Sequence, residues 1–429
     1  MLKKILLVLL GFVGILLMAV VLYNLPPIHD RLAWRVDNLR TSIKYTLNPP
    51  EEVVFLPAEA EATLPPPTST ATPTLTPVPA GPTDTPPPTL VPTVTNTPLP
   101  GNVLLSGVKY EDQHGRLNYC GPSNLSMALT YWGWDGNRDV VGQAIKPMTD
   151  DKNVMPYEMQ DFIAQHTELD SIVRVGGDIE LVKALVAAGF PVILEKGTFL
   201  TDLAGDYSWM GHYQLVTGYD DAQSELIVQD TYVGADHAMS YADINNGWRA
   251  FDYLYLVAYP PDQEQQVAQI LGPRWDEAYS TQLAAERASE EIFNAADESA
   301  LYFAWFNRGT SLMMLQDYAG AADAYDQAFA SVYPNIAEDE RPWRMMWYQT
   351  GPYWAYFYSG RYYDVISLAT TTLDAMSKPV LEESYYWRAL AREALGDTSG
   401  AIADLKEAVR LNPNFLVGQQ QLDRIQGGA

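Results

Sequence analysis

The chain has 429 residues, of which 47% are hydrophobic, so it can bury about two globular cores. Its 53 acidic residues outnumber its 27 basic ones, and the net charge of −26 argues against nucleic-acid binding. A single cysteine excludes an intrachain disulfide framework. Without HExxH or paired CxxC spacing, the sequence predicts no metal site and no cofactor.

An apolar stretch near the N-terminus is predicted to be a membrane anchor. Lys3 and Lys4 precede Ile5–Tyr23, nineteen uncharged residues that would form a helix about 28 Å long, enough to span a bilayer. A cleaved signal peptide is the alternative, but its apolar part is usually about 7–15 residues long, and no A-x-A-like site follows Tyr23. We predict a single-pass anchor in residues 1–23 with the bulk of the chain extracytoplasmic, although basic residues after the span outnumber the two lysines before it.

Residues 24–63 are predicted to be a juxtamembrane segment containing an amphipathic helix. Its apolar positions recur at helical spacing and are Leu32, Val36, Leu39 and Ile43. Its basic residues would lie near lipid phosphates if the helix rests on the membrane surface, and they are Arg31, Arg35, Arg40 and Lys44. A helix that binds a partner protein fits this pattern equally well.

Residues 64–101 are predicted to be a disordered linker. Leu64–Pro100 is rich in Pro and Thr and contains one charged residue, Asp84. Such a tract cannot bury a core and favours polyproline II, a semi-rigid spacer of about 3 Å per residue. It resembles the stalks that hold bacterial surface domains away from a membrane, which favours the extracytoplasmic orientation.

The only cysteine, Cys120, is predicted to lie at the start of a helix. In NYCGPSNLSMALTYWGW, Gly121 and Pro122 favour a turn and a first helical position, and Ser123 and Asn124 are expected to satisfy free amides of the opening turn. Apolar residues then recur at helical spacing: Leu125, Ala128, Leu129 and Trp132. The helix dipole favours a thiolate there, as a nucleophile requires, although a lone cysteine is more often a small buried hydrophobic residue.

Two β-prone stretches further along the chain contain a base and an acid. His212 opens GHYQLVTGYDD, and Asp230 ends the apolar run of SELIVQDTY. If these strands pair antiparallel through the turn near Asp220–Ser224, the two residues lie near the same end of the sheet, and Asp230 can orient the imidazole. Cysteine, histidine and aspartate therefore occur in the order that papain-like enzymes use.

The CGP helix start, the GHY strand and the QD strand end resemble the bacteriocin-processing (double-glycine) cysteine peptidases and their stand-alone papain-fold relatives, over residues 103–260. The resemblance implies that Cys120 is the nucleophile, His212 the general base and then acid, and Asp230 the orienting carboxylate. It also implies a glutamine before the cysteine as an oxyanion-hole donor. Gln113, seven residues upstream, is the residue assigned to that role.

Residues 102–261 are expected to form the α+β papain-like domain, with helices first and an antiparallel sheet later. The predicted elements are helices at 138–145, 157–166 and 179–188, and strands at 171–175, 192–196 and 253–259. Residues 197–210 are interpreted as a loop forming one wall of the cleft. There, Tyr207 and Trp209 either hold a substrate side chain or pack against the sheet.

Residues 262–429 are predicted to be an all-α tetratricopeptide repeat array. Small and large residues recur at the spacing of that repeat in residues 304–330 and 384–415, with a degenerate copy at Trp347–Leu373. A helix at 276–296 would precede the array, and a capping helix at 415–425 would end it. By resemblance, such an array offers a groove to peptides or partner proteins; the alternative is that it only packs on the peptidase-like domain.

The leading hypothesis is a membrane-anchored extracytoplasmic cysteine peptidase that hydrolyses peptide bonds and whose repeats position a protein substrate or partner. The second hypothesis is a catalytically silent peptidase-like adaptor that binds peptides or proteins at the cell surface. A third keeps the nucleophile but changes the bond, as in cell-wall amidases or transglutaminase-type acyl transfer. The triad Cys120, His212 and Asp230 favours an enzyme over an adaptor.

Overall fold

The computed structural model describes residues 11, 13–14, 18, 21–23, 26–58, 98–116, 118–148, 151–201, 205 and 207–427. The predicted anchor at 1–23 and the predicted linker at 64–101 therefore lie largely outside the described residues. Within the described ranges, no helix combines the length and the apolar character needed to cross a membrane.

An antiparallel sheet forms the centre of the first globular part. Its described strands are β1 (Asn102–Leu104), β2 (Asp170–Arg174), β3 (Val192–Thr201), β4 (Tyr207–Asp220), β5 (Glu225–Asp230), β6 (Gly234–Ser240) and β7 (Tyr255–Tyr259). They lie in the order β2-β7-β3-β4-β5-β6, with β1 paired to the end of β4. The predicted pairing of the histidine strand with the aspartate strand is confirmed, since β4 and β5 are antiparallel neighbours.

The predicted loop at 197–210 is wrong at both of its described ends, because β3 extends to Thr201 and β4 begins at Tyr207. The two strands pair from Val192–Val216 to Thr201–Tyr207. Aromatic residues stabilise this extension: the rings of Phe199 and Tyr207 stack with centroids 5.7 Å apart. The ring of Trp209 packs so closely on Gly197 that a Cβ there would lie 2.7 Å from the indole nitrogen.

Helices cover both faces of the sheet. One face is packed by α2 (Cys120–Tyr131), α3 (Arg138–Ile145) and α4 (Pro156–His166), and the other by α5 (Ile179–Ala187), α6 (Tyr241–Trp248) and α7 (Glu264–Leu271). Side chains alternate along β3, so that Ile193 joins the first core while Val192 and Leu194 join the second. This burial on both faces explains the apolar character of β7 and of the first three residues of β3, Val192, Ile193 and Leu194.

The C-terminal region is helical, as predicted. Its longer helices are α8 (Glu277–Asn294), α9 (Glu298–Met314), α10 (Tyr318–Asp326), α12 (Gly351–Tyr358), α13 (Tyr362–Ala375), α14 (Glu382–Ala394), α15 (Thr398–Leu411) and α16 (Leu416–Gly427), with the short α11 (Met345–Tyr348) between them. Small residues lie where helices cross: a Cβ on Gly309 would come within 2.7 Å of the Tyr325 ring. Gly309 therefore allows α9 and α10 to approach closely.

The sheet and the helical array share one hydrophobic core. Trp209 and Phe251 lie in the same buried cluster as Phe303, Phe306 and the other aromatic residues of the array. The Trp209 ring lies 6.1 Å, centroid to centroid, from both Phe251 and Phe303. Trp209 thus packs in this shared core. Of the two roles expected for it, holding a substrate side chain or packing, this position corresponds to packing.

The juxtamembrane segment forms the expected helix, α1 (Pro26–Leu47), but one of its basic residues faces protein. Lys44 donates to the carbonyl oxygens of Asp374 and Met376, where α13 ends, so its expected position near lipid phosphates is wrong. Carbonyls at a helix C-terminus lack intrahelical donors, and a cation there also complements the helix dipole. Tyr45 packs edge-on against Trp343, with ring centroids 5.6 Å apart.

Candidate active site

Cys120 is the first residue of α2, as predicted, and this end of the helix is fixed to β4. Asn124 donates to the carbonyl oxygens of Cys120, at 2.9 Å, and of Tyr213, at 2.8 Å. Ser123 donates to the carbonyl oxygen of Asp112 at 3.1 Å. Both side chains therefore act as donors to carbonyls, and the expectation that they accept from the first-turn amides is wrong. A side chain that accepts from first-turn amides lies just before the helix, but this helix already begins at Cys120, so Ser123 and Asn124 lie inside it.

His212 lies between the cysteine and Asp230. Its Nε2 is 3.1 Å from Asp230 Oδ1, and both side chains are buried. The His212 ring and the Cys120 thiol line the same small cavity, and each shifts the pKa of the other. With Nε2 engaged by the carboxylate, Nδ1 is the ring nitrogen left for the thiol. The structure therefore brings these three predicted residues together.

Asp230 is held in place by further donors. Its Oδ1 accepts from the backbone N–H groups of Tyr232, at 2.8 Å, and Val233, at 3.0 Å. Its Oδ2 accepts from Gln214 Nε2. Gln214 was not predicted, yet a sequence signal existed: it lies two residues after His212 on one strand and so faces the same side.

The charges of these groups reinforce one another. Burial would raise the pKa of the Cys120 thiol, but the hydrogen bond and charge of His212 outweigh burial and hold that pKa below its usual value. Burial would lower the pKa of His212, but Asp230 and Cys120 raise it to about 9. Burial would also raise the pKa of Asp230, yet His212 and the backbone donors hold it well below its ordinary range. The arrangement favours a thiolate, an imidazolium and a carboxylate together.

Gln113 lies beside the thiol, in a conformation set by Thr231. Its backbone N–H donates to the Thr231 carbonyl at 2.9 Å, and its Oε1 accepts from Thr231 Oγ1 at 2.7 Å. Because the oxygen of the side-chain amide is engaged, its NH₂ group is the end available as a donor. Gln113 also lines the same small cavity as Cys120 and His212.

The cavity is also lined by residues that were not predicted from the sequence, among them Glu195, Tyr213 and Tyr348. Glu195 on β3 is almost fully buried there, and burial raises the pKa of its carboxyl well above the usual range. Its neighbour across the strands, Tyr213, donates its hydroxyl proton to the Val154 carbonyl at 2.9 Å. Tyr348 of α11 forms another part of the wall, although it lies more than 130 residues after His212. No local sequence pattern indicates such a long-range contact.

The cavity at the thiol, about 40 Å³, adjoins a larger one of about 250 Å³. Gln113, Lys152 and Tyr348 are among the residues that line both. Residues of α1, the sheet-containing part and the helical array all contribute to the larger cavity. The thiol therefore lies at one end of a cleft built from three segments of the chain.

Residues 105–256 match the model of the Peptidase_C39 like family, and residues 382–415 match that of the tetratricopeptide repeat. The chain therefore combines a C39-like cysteine peptidase fold with a tetratricopeptide repeat, which confirms the resemblance found in the sequence. A search of curated proteins gives no match.

Two solved structures resemble part of the chain. A crystal structure described as a C39-like peptidase from Bacillus anthracis has 18% identity and a TM-score of 0.31, covering 37% of this chain and 96% of its own. The crystal structure of xylellain, a cysteine protease from Xylella fastidiosa, has 16% identity and a TM-score of 0.30, covering 38% of this chain and 87% of its own.

Proposed function

We propose that the protein is a membrane-anchored, extracytoplasmic cysteine peptidase that hydrolyses peptide bonds through Cys120, His212 and Asp230. The observation that supports this most directly is the position of His212, which shares a small cavity with the Cys120 thiol and lies 3.1 Å from the Asp230 carboxylate. A buried imidazole in such a position can take a proton from the thiol and later donate it to the leaving amine.

The reaction is acyl transfer to sulfur followed by hydrolysis. The Cys120 thiolate attacks the peptide carbonyl carbon, and His212, as imidazolium, donates a proton to the departing amine as the C–N bond breaks. A water molecule then loses a proton to His212 and attacks the thioester; the C–S bond breaks, which releases the acid and restores the thiolate–imidazolium pair. Asp230 keeps the ring in one orientation and stabilises its charged form throughout.

The negative charge on the tetrahedral oxygen needs donors that are already in position. We assign this role to the backbone N–H of Cys120 and to the side-chain NH₂ of Gln113. The first turn of α2 supplies the former, because backbone amides at a helix N-terminus have no intrahelical acceptor. The hydrogen bond from Thr231 to Gln113 Oε1 supports the latter, since it directs the amide.

The membrane part of the proposal rests on the sequence of residues 1–23 and on α1. This helix leaves an apolar stripe exposed, with Val36 at 45%, Leu39 at 62% and Ile43 at 52% exposure. Such a face next to a hydrophobic span can rest on the lipid headgroup region. The repeat array, whose α11 reaches the cleft, is proposed to position a protein substrate or partner.

The test is the alkylation rate of Cys120 by iodoacetamide as a function of pH, on the full chain in a non-ionic detergent. The wild type should react fast at pH 6, because the thiolate is already formed. His212→Ala should react about 10²-fold more slowly there, since a thiol of ordinary pKa is less than about 1% ionised at pH 6. His237→Ala is the matched control, because His237 lies on β6 and does not line the cavity of the thiol.

A wild-type thiol that reacts only near pH 8.5, as an ordinary thiol does, would contradict the Cys–His pair and favour the silent adaptor. Once the Cys–His pair is established, the mass of the product distinguishes peptide hydrolysis from transamidation. Hydrolysis adds one water to a cleaved peptide, whereas transamidation joins an amine to it.

A further inference from the structure

Lys196 on β3 is a buried cation that the mechanism described above does not use. Only 4% of its surface is exposed. It is the direct partner of His212 across β3 and β4, and residues paired in this way in an antiparallel sheet point to the same face. Lys196 therefore lies on the same face of the sheet as the His212 imidazole.

The Lys196 ammonium group has a weak acceptor in place of a carboxylate. Its Nζ lies 3.9 Å from the thioether sulfur of Met239 on β6, which is its only hydrogen-bond contact within the described part of the chain. Sulfur of this kind accepts weakly, and a buried cation without a close carboxylate lowers the stability of a protein. Packing alone therefore gives no reason for a lysine here, because a methionine or leucine side chain would fill the same space.

The surrounding structure leaves room for this lysine. Gly247, in α6, lies so close to it that a Cβ there would be 2.8 Å from Lys196 Cε and 2.6 Å from the carbonyl oxygen of Gly197. Glycine lowers the stability of a helix interior, so α6 is weakened at the point where the lysine side chain passes. The lysine is thus packed between the sheet and α6, which fixes the position of its charge.

A short series of contacts connects Lys196 with the carboxylate of the triad. The Met239 sulfur that Lys196 contacts also lies 3.4 Å from Gln214 Nε2. Gln214 Nε2 donates to Asp230 Oδ2, while Asp230 Oδ1 lies 3.1 Å from His212 Nε2. The Gln214 amide oxygen is buried and has no hydrogen-bond partner among the described residues, so the donor end of this side chain is the one that the site uses. Lys196 and His212 therefore approach Asp230 through different oxygens.

Titratable groups from three elements lie around the ammonium group: His212 on β4, Asp230 on β5 and Asp243 at the start of α6. Burial lowers the pKa of Lys196, whereas the charges of Asp230 and Asp243 oppose that shift. The side chains that contact or adjoin the ammonium group, Met239 and Gln214, are neutral. Lys196 and protonated His212 are thus two cations that share one buried carboxylate.

We propose that Lys196 is a positioning residue of the active site: acting through Asp230, its positive charge limits how strongly that carboxylate stabilises the His212 imidazolium. An imidazolium that is stabilised too strongly donates its proton poorly to the departing amine, whereas a neutral ring leaves the thiol without its ion-pair partner. Lys196 keeps the ring between these two extremes. This inference rests on the proposed function, because it concerns how the charge of the same triad is regulated.

The test is the rate of Cys120 alkylation by iodoacetamide between pH 4 and pH 11, on the full chain in non-ionic detergent. The wild-type rate should rise twice: first as the thiolate–imidazolium pair forms, and again near pH 9, where His212 loses its proton and the thiolate becomes more nucleophilic. Lys196→Met should move the upper rise about 0.5–1 pH unit higher, because a positive charge that repels the imidazolium is lost. This direction is opposite to the one expected when the Asp230 charge is removed.

Two further variants make this comparison specific. Lys406→Met removes the same charge from an exposed position on α15 and should leave the upper rise near pH 9. Lys196→Leu has a different shape from Lys196→Met but the same loss of charge, so it should give the same shift. Agreement between these two separates lost charge from altered packing. An upper rise that stays near pH 9, or moves lower, in the two Lys196 variants overturns the proposal.

Urea unfolding of the same variants gives a second readout. Replacing a buried cation by an apolar side chain should leave the protein at least as stable as the wild type, since the lysine is retained for its charge and not for packing. Failure of both Lys196 variants to fold would show that the lysine is needed for the structure and would overturn the proposal. The lower rise of the alkylation profile tests the proposed function separately: its absence from the wild type contradicts the Cys–His pair, whereas an unmoved upper rise contradicts only the role of Lys196.

Discussion

Two groups of buried ionisable residues differ in their charges. In the candidate active site, Cys120, His212 and Asp230 can carry charges of opposite sign. Between the sheet-containing part and the helical array, four carboxyl groups lie near one another: Asp151, Glu158, Glu382 and Glu383. All seven groups are largely removed from water.

Their pKa values shift in different directions. Among the four carboxyls, burial is the largest cause and raises every pKa, that of Glu382 to about 7. Repulsion from neighbouring carboxyls adds to it at Glu158, Glu382 and Glu383, whereas Lys146 opposes it at Asp151, Glu158 and Glu382 without cancelling it. In the active site, burial is opposed by a partner of opposite charge, and the pKa of Asp230 is lowered. Burial alone therefore does not determine the charge state of a group; the balance between burial and its charged neighbours does.

The largest expected effect comes from removing the negative charge of the triad. Asp230→Asn should lower kcat/KM by about 10²–10⁴-fold, because nothing then orients and charges the imidazole. The pKa of His212, raised to about 9 in the native protein, should fall because the largest opposition to burial is lost and only Cys120 still raises it. The check is the alkaline limb of the rate–pH profile, which should move from about pH 9 to lower pH.

Asp221→Asn is the control for that change. Asp221 lies on the same hairpin but pairs with Lys183, 2.7 Å away, outside the site. An alkaline limb that stays near pH 9 in Asp230→Asn would show that another group raises the pKa of His212.

Gln113→Ala separates the charge of the nucleophile from stabilisation of the oxyanion. We expect turnover to fall by about 10²–10³-fold, as for the loss of one oxyanion donor. The rate of iodoacetamide alkylation should stay within about twofold of the wild type, because that reaction forms no oxyanion. Gln223→Ala, in the exposed turn before β5, is the control. A parallel loss in both assays would mean that Gln113 acts on the thiol itself.

A smaller effect, of opposite sign, is expected at the carboxyl cluster. Glu382→Gln retains an oxygen that can accept from Asn412, at 2.7 Å in the native protein, but it cannot ionise. A raised carboxyl pKa means that the native contribution to stability is present below about pH 4.3 and is lost as the pH rises towards about 7. At pH 8 the variant should therefore be more stable, by about 1–3 kcal/mol.

Urea unfolding at pH 8 and pH 5 checks this prediction. The gain in the free energy of unfolding should shrink at pH 5, where the native glutamate is protonated. Glu298→Gln, at an exposed helix start, should show no comparable gain at either pH. If Glu382→Gln and the wild type are equally stable at pH 8, the charge on Glu382 does not destabilise the native protein, which would contradict the prediction.

The smallest effect is expected where an ion pair of opposite charges is exposed. Arg410 and Glu407 lie one turn apart on α15, with the closest atoms 2.6 Å apart. Arg410→Ala should change the free energy of unfolding by less than about 1 kcal/mol, because water and salt screen exposed pairs. A larger loss in the same urea experiment would contradict this prediction. It would mean that a short distance between two opposite charges stabilises the protein even where both are exposed to water.

The sequence predicted those features that depend on local pattern. The start of α2 at Cys120, the antiparallel pairing of β4 with β5 and the helices of the array follow from turn residues and hydrophobic periodicity. The closeness of His212 and Asp230 also follows, because a single tight turn joins their strands and fixes the register.

Features that depend on distant parts of the chain were not predictable. The continuation of β3 and β4 past Gly197 depends on Trp209, which packs in a core shared with the array. The contact of Lys44 with the end of α13 joins residues 330 and 332 positions apart. The residues by which the array reaches the cleft, Trp347 and Tyr348, carry no pattern that distinguishes them from ordinary repeat residues.

The cleft wall formed by α11 has a consequence for biosynthesis. Asn153 donates to the carbonyl oxygen of Trp347, which lies 194 positions later in the chain. Translation proceeds from the N-terminus, so a ribosome has already produced Cys120, His212 and Asp230 when the codon for Trp347 has yet to be read. A nascent chain at that stage contains the Cys120 thiol but lacks the wall that α11 contributes to the cleft. The order of synthesis thus delays the complete cleft until most of the protein has been made.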